Sequence, residues 1–470
     1  MTIKHDDIII SKENPFENCK LNRQIYASIL SDIISSYREG FVLSINGQWG
    51  SGKTTFVKMW EQQLKNNDYK TLYFNAWEND LLTDPSVAIL GELKKLLYKN
   101  DERIFNKILK TTATVTRNII PSLGKAIANH YIDNEIVTET IENALSATTE
   151  ILEKEIEEYC KRKKGIDEFK ELLTEYVKAE SPDKPIVFII DELDRCRPSY
   201  AVEVLEKVKH FFSVNGIVFI LSIDKSQMCN SIKGFYGSES IDSEDYLLRF
   251  IDLEYRLPEP DPKVFCEYLY DYFDFKNFFN NQNRLDSFRN KSEDEEFIKF
   301  AAMLANASKL TLRQLEKLFA HSRIALKSFE YQEYVTPPLF FFLVYVRNHK
   351  TVIYNKIKSK QFDIQELVTF LETTINVTSS NSTNNFLIVE LLVFYMTYCN
   401  EYERTEKIVL LNEEQNPLFS TKIKIEELRS YVRYCDGEYR GNNILKHLLN
   451  KIELYLSLIH ISEPTRPISI

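Results

Sequence analysis

Short continuous apolar runs alternate with stretches of helical spacing along the first half of the chain. Residues 21–38, LNRQIYASILSDIISSYR, repeat apolar side chains at helical intervals and predict a helix. Residues 41–46, FVLSIN, form a β-rich run that stops at a glycine-rich segment. A helix is expected over 54–66 and a second strand over 70–75, with Ala76-Trp77-Glu78-Asn79-Asp80 at its end. From about 85 to 180 the pattern is helical and much of it is charged. A third strand over 185–190 runs into Asp191-Glu192-Leu193-Asp194-Arg195. A helix over about 199–212 leads to a fourth strand at 216–223, and an extended run at 251–257 ends the series. Apolar strands separated by helices are the pattern of a parallel sheet buried on both faces. The expected fold class is therefore α/β: a parallel sheet sandwiched by helices over residues 1–260, with a helical insertion at about 85–180.

After Pro258-Glu259-Pro260 the character changes, and helical patterns dominate from about 262 to 455. Polar stretches at 280–296 and 373–385 read as loops or linkers. An all-helical remainder is expected, as a helical domain over 261–372 and a C-terminal helical region over 373–455. No chemistry stands out in it. Residues 456–466, LSLIHISEPTR, look like the translation of an adapter used to prepare sequencing libraries. Residues 456–470 are accordingly read as a non-native tail, with the natural C-terminus missing.

The chemistry sits at strand ends. Gly47-Gln48-Trp49-Gly50-Ser51-Gly52-Lys53-Thr54 fits G-x-x-x-x-G-K-[ST] at every fixed position, between a predicted strand and a predicted helix. Glycines let the backbone curl so that several N–H groups face one concavity suited to phosphate oxygens. The following helix turns its positive end to the same anion. Lys53 can reach the β and γ phosphates, the Thr54 hydroxyl can ligate Mg2+, and Thr55 extends the cradle. Asp191 ends a buried strand, where ligands bind in open α/β sheets, and can hold magnesium. Glu192 is placed to orient and polarise an attacking water, which favours hydrolysis over phosphoryl transfer to a small molecule. Lys53 and Asp191 lie 138 residues apart, which makes the helical segment between them an insertion. Ser222 and Asp224 end the next strand, where either could contact the γ-phosphate or cap the next helix. Arg249 and Arg313 are candidates to reach the triphosphate in cis or in trans, or are ordinary helix-surface arginines.

Composition narrows the class. At 470 residues with 44% hydrophobic and 13% aromatic side chains, the chain can bury a large core in two or three domains. A net charge of -10 argues against a generally basic, nucleic-acid-coating protein. The one dense basic run of the insert, Lys161-Arg162-Lys163-Lys164, is flanked by Glu157, Glu158, Asp167 and Glu168 and reads as a solvated helix face. Nucleic acid is not indicated as a partner. The seven cysteines are scattered without zinc spacing, as expected of reduced buried thiols. Residues 1–12 carry no apolar signal region, and the longest apolar runs, 338–346 and 387–396, are far short of the ~20 residues of a spanning helix. A cytoplasmic location is expected.

Together these pieces resemble the KAP family of P-loop NTPases. The resemblance is carried by Leu21-Asn22-Arg23 with Tyr26-Ala27, by the loop Gly47–Thr54 with its Trp49, and by Phe74-Asn75-Ala76-Trp77. It continues through Asp191-Glu192-Leu193-Asp194-Arg195-Cys196, Leu221-Ser222-Ile223-Asp224-Lys225 and Tyr246-Leu247-Leu248-Arg249-Phe250-Ile251, so that it covers about residues 10–320. It implies a nucleotide-driven switch, ATP rather than GTP, and a Walker B aspartate followed by a catalytic glutamate. Some members are associated with excluding phage in bacteria, and others carry spanning helices between the two Walker segments. Residues 111–132 occupy that place here, but Arg117, Pro121, Lys125 and His130 make a poor span. A packed helical insert is the preferred reading, and peripheral membrane contact is not indicated. A homo-oligomer is expected if an arginine comes from a neighbour, and the helical regions offer surfaces to a protein partner. The alternatives are a scaffold that holds nucleotide without turnover and a P-loop kinase.

Overall fold

The computed structural model describes residues 8–37, 39–81, 84–96, 102–116, 160, 163–288, 292–375, 382–400, 410–412, 414, 416–438 and 443–456. The segment after residue 116 that was weighed as a membrane span, Lys161 and Arg162 of the basic run, and the tail after residue 456 lie outside them. The chain divides into two compact units, one spanning Ile8–Pro258 and one beginning at Glu259.

The first unit is built on five parallel strands: β1 (Val42–Asn46), β2 (Thr71–Asn75), β3 (Ile186–Asp191), β4 (Ile217–Ile223) and β5 (Leu253–Arg256). Their order across the sheet is β2-β3-β4-β1-β5. The sequence of each strand matches its place. β3 and β4 are apolar nearly throughout and buried at every position, as central strands covered on both faces must be. β2 and β5 are the edges, and both alternate apolar with polar residues.

The two-residue period sorts the core into two layers. Ile186, Phe188 and Ile190 of β3 share one face with Phe219, Leu221 and Ile223 of β4. Val187 and Ile189 share the other with Val218, Ile220, Leu43 and Ile45. Helices α1 (Gln24–Ser36) and α2 (Lys53–Asn66) cover the second face through Ala27, Leu30, Phe56, Trp60 and Leu64. The first face is covered in part by the described pieces of the insertion. Leu93, Phe105, Ile108, Phe169, Leu173 and Tyr176 all join that core. Tyr176 also donates its buried hydroxyl proton to the Leu93 carbonyl at 2.9 Å. The helix expected over 199–212 is an α-helix over Pro198–Lys207 that loosens into a π turn over Val208–Phe212. Pro198 opens it, where a missing N–H costs nothing.

The second unit is helical in its described residues, apart from short turns and one isolated bridge between Leu411 and Pro417. An aromatic nucleus of Tyr270, Phe275, Phe279, Phe297, Phe319 and Phe341 holds its first helices together. The polar stretch at 280–296, expected to be a linker, instead contains the helix Gln282–Ser287 and the start of Glu293–Ala307. The reason is a buried ion pair: Arg284 donates to both oxygens of Glu293, at 2.5 and 2.8 Å. A polar sequence read in one dimension hides that pairing. Among the described residues no helix is long and apolar enough to cross a membrane.

Candidate nucleotide site

The loop between β1 and α2 is shaped by its glycines. Gly50 and Gly52 hold positive φ, 79° and 82°, where a side chain would be strained. A Cβ at Gly47 would meet the Ser51 hydroxyl at 2.9 Å. Gly47 donates its N–H to the Ile223 carbonyl at 3.2 Å, so the loop leaves the sheet pinned to β4. Behind it lies Arg23, buried just before α1. Its guanidinium donates to the carbonyls of Ser51 at 2.7 Å and Gly52 at 3.1 Å. Carbonyl and N–H oppose each other across a trans peptide, so these two bonds turn the N–H groups of Gly52 and Lys53 away from Arg23.

Lys53 is the first residue of α2 and is buried. Its ammonium donates to the Gly47 and Gln48 carbonyls. Burial lowers its pKa, and the nearby Asp194, Asp224 and Asp191 oppose that shift. Thr54 and Thr55 follow on the same turn, half-buried, while Gln48 and Trp49 at the apex are exposed. The Ser51 hydroxyl is buried without a hydrogen-bond partner, and so is that of Ser222 on β4. Buried hydroxyls are nearly always paired, and a phosphate oxygen or a metal-bound water would pair these. The loop's own residues thus fit the phosphates of a nucleotide.

β3 delivers the acids. Asp191 is buried, accepts from the Tyr73 hydroxyl at 2.8 Å and accepts the Glu192 N–H at 3.0 Å. Burial and the charge of Asp191 push the Tyr73 phenol far up, so it stays a proton donor. Glu192 adopts left-handed backbone, φ 61°, uncommon for this residue type. Its carboxylate meets Arg195 at 2.7 Å and accepts from the Asn75 amide at 3.4 Å. Burial raises the Glu192 pKa, and the Arg195 contact opposes that shift without cancelling it. Arg195 in turn lies 6.0 Å over the Trp77 ring.

β4 lies between β1 and β3, so its end stands between the loop and the acids. Ser222 is in register with Asp191. Asp224 caps the helix Lys225–Tyr236, accepting from Ser226 and Gln227, and its other oxygen accepts the Trp49 N–H at 3.1 Å. Both oxygens thus accept from within the protein, as both oxygens of Asp191 do.

Of the two arginines, Arg249 is exposed at the end of Ser243–Leu248 and pairs with Asp245 at 3.6 Å. Arg313 is exposed on the first turn of Leu312–Ala325, in the second unit. Sequence reasoning gave no task to Arg23, Tyr73, Asn75, Asp194 or Arg195. Their positions beside known motifs were visible, but the partners of Arg23, Tyr73 and Asp194 are remote in sequence, and so is the Glu192 that Asn75 meets.

A glycine-rich loop opening a helix, on a parallel sheet that presents acids from the next strand but one, defines the P-loop class of nucleotide-binding domain. Within it, the chain belongs to the KAP family: the model of the KAP family P-loop domain matches residues 23–375. The chain is similar to the phage T7 exclusion protein of Escherichia coli (strain K12), at 22% identity over 259 residues. That match covers 51% of this chain and 32% of the relative, less than half of the relative's length. Among solved structures, Drosophila ORC bound to DNA matches 94% of this chain and 88% of its own, at 13% identity and a TM-score of 0.38. The Aeropyrum pernix ORC2 protein in its ADPNP–ADP complexes matches 93% and 95%, at 12% identity and a TM-score of 0.32.

Proposed function

We propose that this chain binds ATP with magnesium at the P-loop, hydrolyses it slowly, and serves as a conformational switch in excluding phage. The observation that carries the reading is that only β4 separates the loop after β1 from the Asp191-Glu192 end of β3, and that Lys53, which opens α2, feels the charge of Asp191. Lys53 would draw the β and γ phosphates, and its present hold on loop carbonyls would be exchanged for them. Thr54 and Asp191 would hold Mg2+, which neutralises charge developing on the phosphates. Gly47, Gln48, Trp49, Gly50, Ser51, Gly52 and Thr55 would line the phosphates. Glu192 would orient the attacking water and receive its proton. Ser222, unpaired and in register with Asp191, would bond the γ-phosphate or that water. Arg249 and Arg313 are offered to a neighbouring copy's site; the exposed Asp245 contact is weak enough to be given up. The similarity to a phage exclusion protein supports the biological role. The unit from Glu259 onward is the proposed moving part, and a second copy the proposed partner.

A second reading, a scaffold that holds nucleotide without turnover, draws on one observation. Both Glu192 oxygens are already engaged, by Arg195 and by Asn75. Steady-state phosphate release from ATP and GTP, with magnesium and across a range of protein concentrations, separates the two. Turnover with ATP that rises per subunit with concentration is expected of the assembling switch. Tight ATP binding with background release at all concentrations would leave the scaffold, and no binding would end both.

A pH profile adds a signed test. Glu192 works as the carboxylate, and burial raises its pKa. Activity should therefore fall on acidification at a higher pH than an ordinary glutamate would give. Arg195 lowers that pKa, so Arg195→Met should move the acid limb of kcat/KM to still higher pH. A limb that stays put, or moves down, would remove Glu192 from that limb.

A further inference from the structure

We infer that Trp49 and Asp194 form the joint that sets the position of the P-loop apex, with Asp194 as its positioning residue. This rests on the nucleotide reading of the loop and assigns it a part beyond that reading. Trp49 is 43% exposed, so its ring is not at the apex to fill a core. Its indole N–H nevertheless donates inward, at 2.6 Å, to Oδ2 of Asp194. The same oxygen accepts the Asp224 N–H at 2.8 Å. Asp224 closes the triangle by accepting the Trp49 backbone N–H at 3.1 Å.

The three corners come from different strand ends. Trp49 follows β1, Asp194 follows β3, and Asp224 follows β4. One buried carboxylate, 5% exposed, therefore ties the loop apex to the ends of β3 and β4. Burying a carboxylate costs heavily unless its oxygens are paired, and here the pairing partners are the parts to be aligned. The indole is a donor only, so the bond has one polarity and needs an acceptor at Asp194. A displacement of the apex would break two bonds to Trp49 at once. The loop that must cradle phosphate is in this way held at one height before nucleotide arrives.

The test is ADP binding with magnesium by calorimetry, on the full chain and its variants. Trp49→Phe removes the N–H and keeps a smaller aromatic ring at an exposed position, and should weaken ADP about tenfold. Asp194→Ala should weaken it at least as much, and the double variant no further, because both changes delete the same bond. Asp194→Asn keeps an oxygen for both N–H groups and should restore most of the lost affinity. ADP affinity of Trp49→Phe within about twofold of wild type, or losses that multiply in the double variant, would overturn the joint. So would Asp194→Asn as weak as Asp194→Ala, since charge and not geometry would then be at work. Wild type that binds no ADP would overturn the nucleotide reading itself, and the joint with it.

Discussion

Replacing Glu192 by glutamine is expected to lower phosphate release by about two to four orders of magnitude while ATP affinity stays within a few-fold. Glutamine keeps the size and can still accept from Asn75, so the backbone at φ 61° has no new reason to move. What it loses is the charge that polarises water and the capacity to take a proton. That loss falls on the transition state, and so on kcat rather than on binding. The Arg195 contact at 2.7 Å weakens in the variant, because a neutral amide replaces the carboxylate. Phosphate release with protein in excess over ATP, a single turnover, compared with release at ATP in excess, separates chemistry from binding and product release. Turnover in the variant above about a tenth of wild type would remove Glu192 from the catalytic role.

The largest stability effect is expected in the second unit. Arg284→Ala should destabilise the protein by about 3–5 kcal/mol. Arg284 is 1% exposed, and Glu293, its partner, 9%. The guanidinium also donates to the carbonyls of Tyr331 at 3.0 Å and Glu333 at 2.9 Å. Three rings, Phe278, Phe279 and Phe288, lie 4.8, 5.8 and 4.7 Å from it. Truncation leaves a buried carboxylate and two carbonyls without their donor, and removes the cation from the rings. Removing both charges, as Arg284→Met with Glu293→Leu, should cost much less, because no buried charge is stranded. Denaturant unfolding, followed by aromatic absorbance, measures both. A loss below about 1 kcal/mol in Arg284→Ala would mean that the pair is solvated in solution.

These two residues differ in how they could be found. Glu192 follows an apolar run and an aspartate, and its place relative to a glycine-rich loop marks it as a candidate from order alone. Arg284 sits in a polar stretch that reads as a linker. Its partner is only nine residues away, yet nothing in the pattern says that both are buried. Burial of a charge is decided by what surrounds it in space, here the three rings and two carbonyls.

By itself the sequence determined the parallel α/β class, because strands buried on both faces must be apolar at nearly every position, and it determined the loop, because its glycines and Lys53 have fixed spacing. It also indicated that an all-helical region follows the sheet. The tertiary structure alone decided that β4 enters between β1 and β3, and this puts Ser222 and Asp224 between the loop and the acids. It decided as well that Arg23 backs the loop carbonyls, that Tyr73 holds Asp191, and that Trp49 reaches Asp194 across 145 residues of chain. Periodicity records which face of an element is buried. Strand order and side-chain pairing depend on how those faces close over one another, which local spacing does not encode.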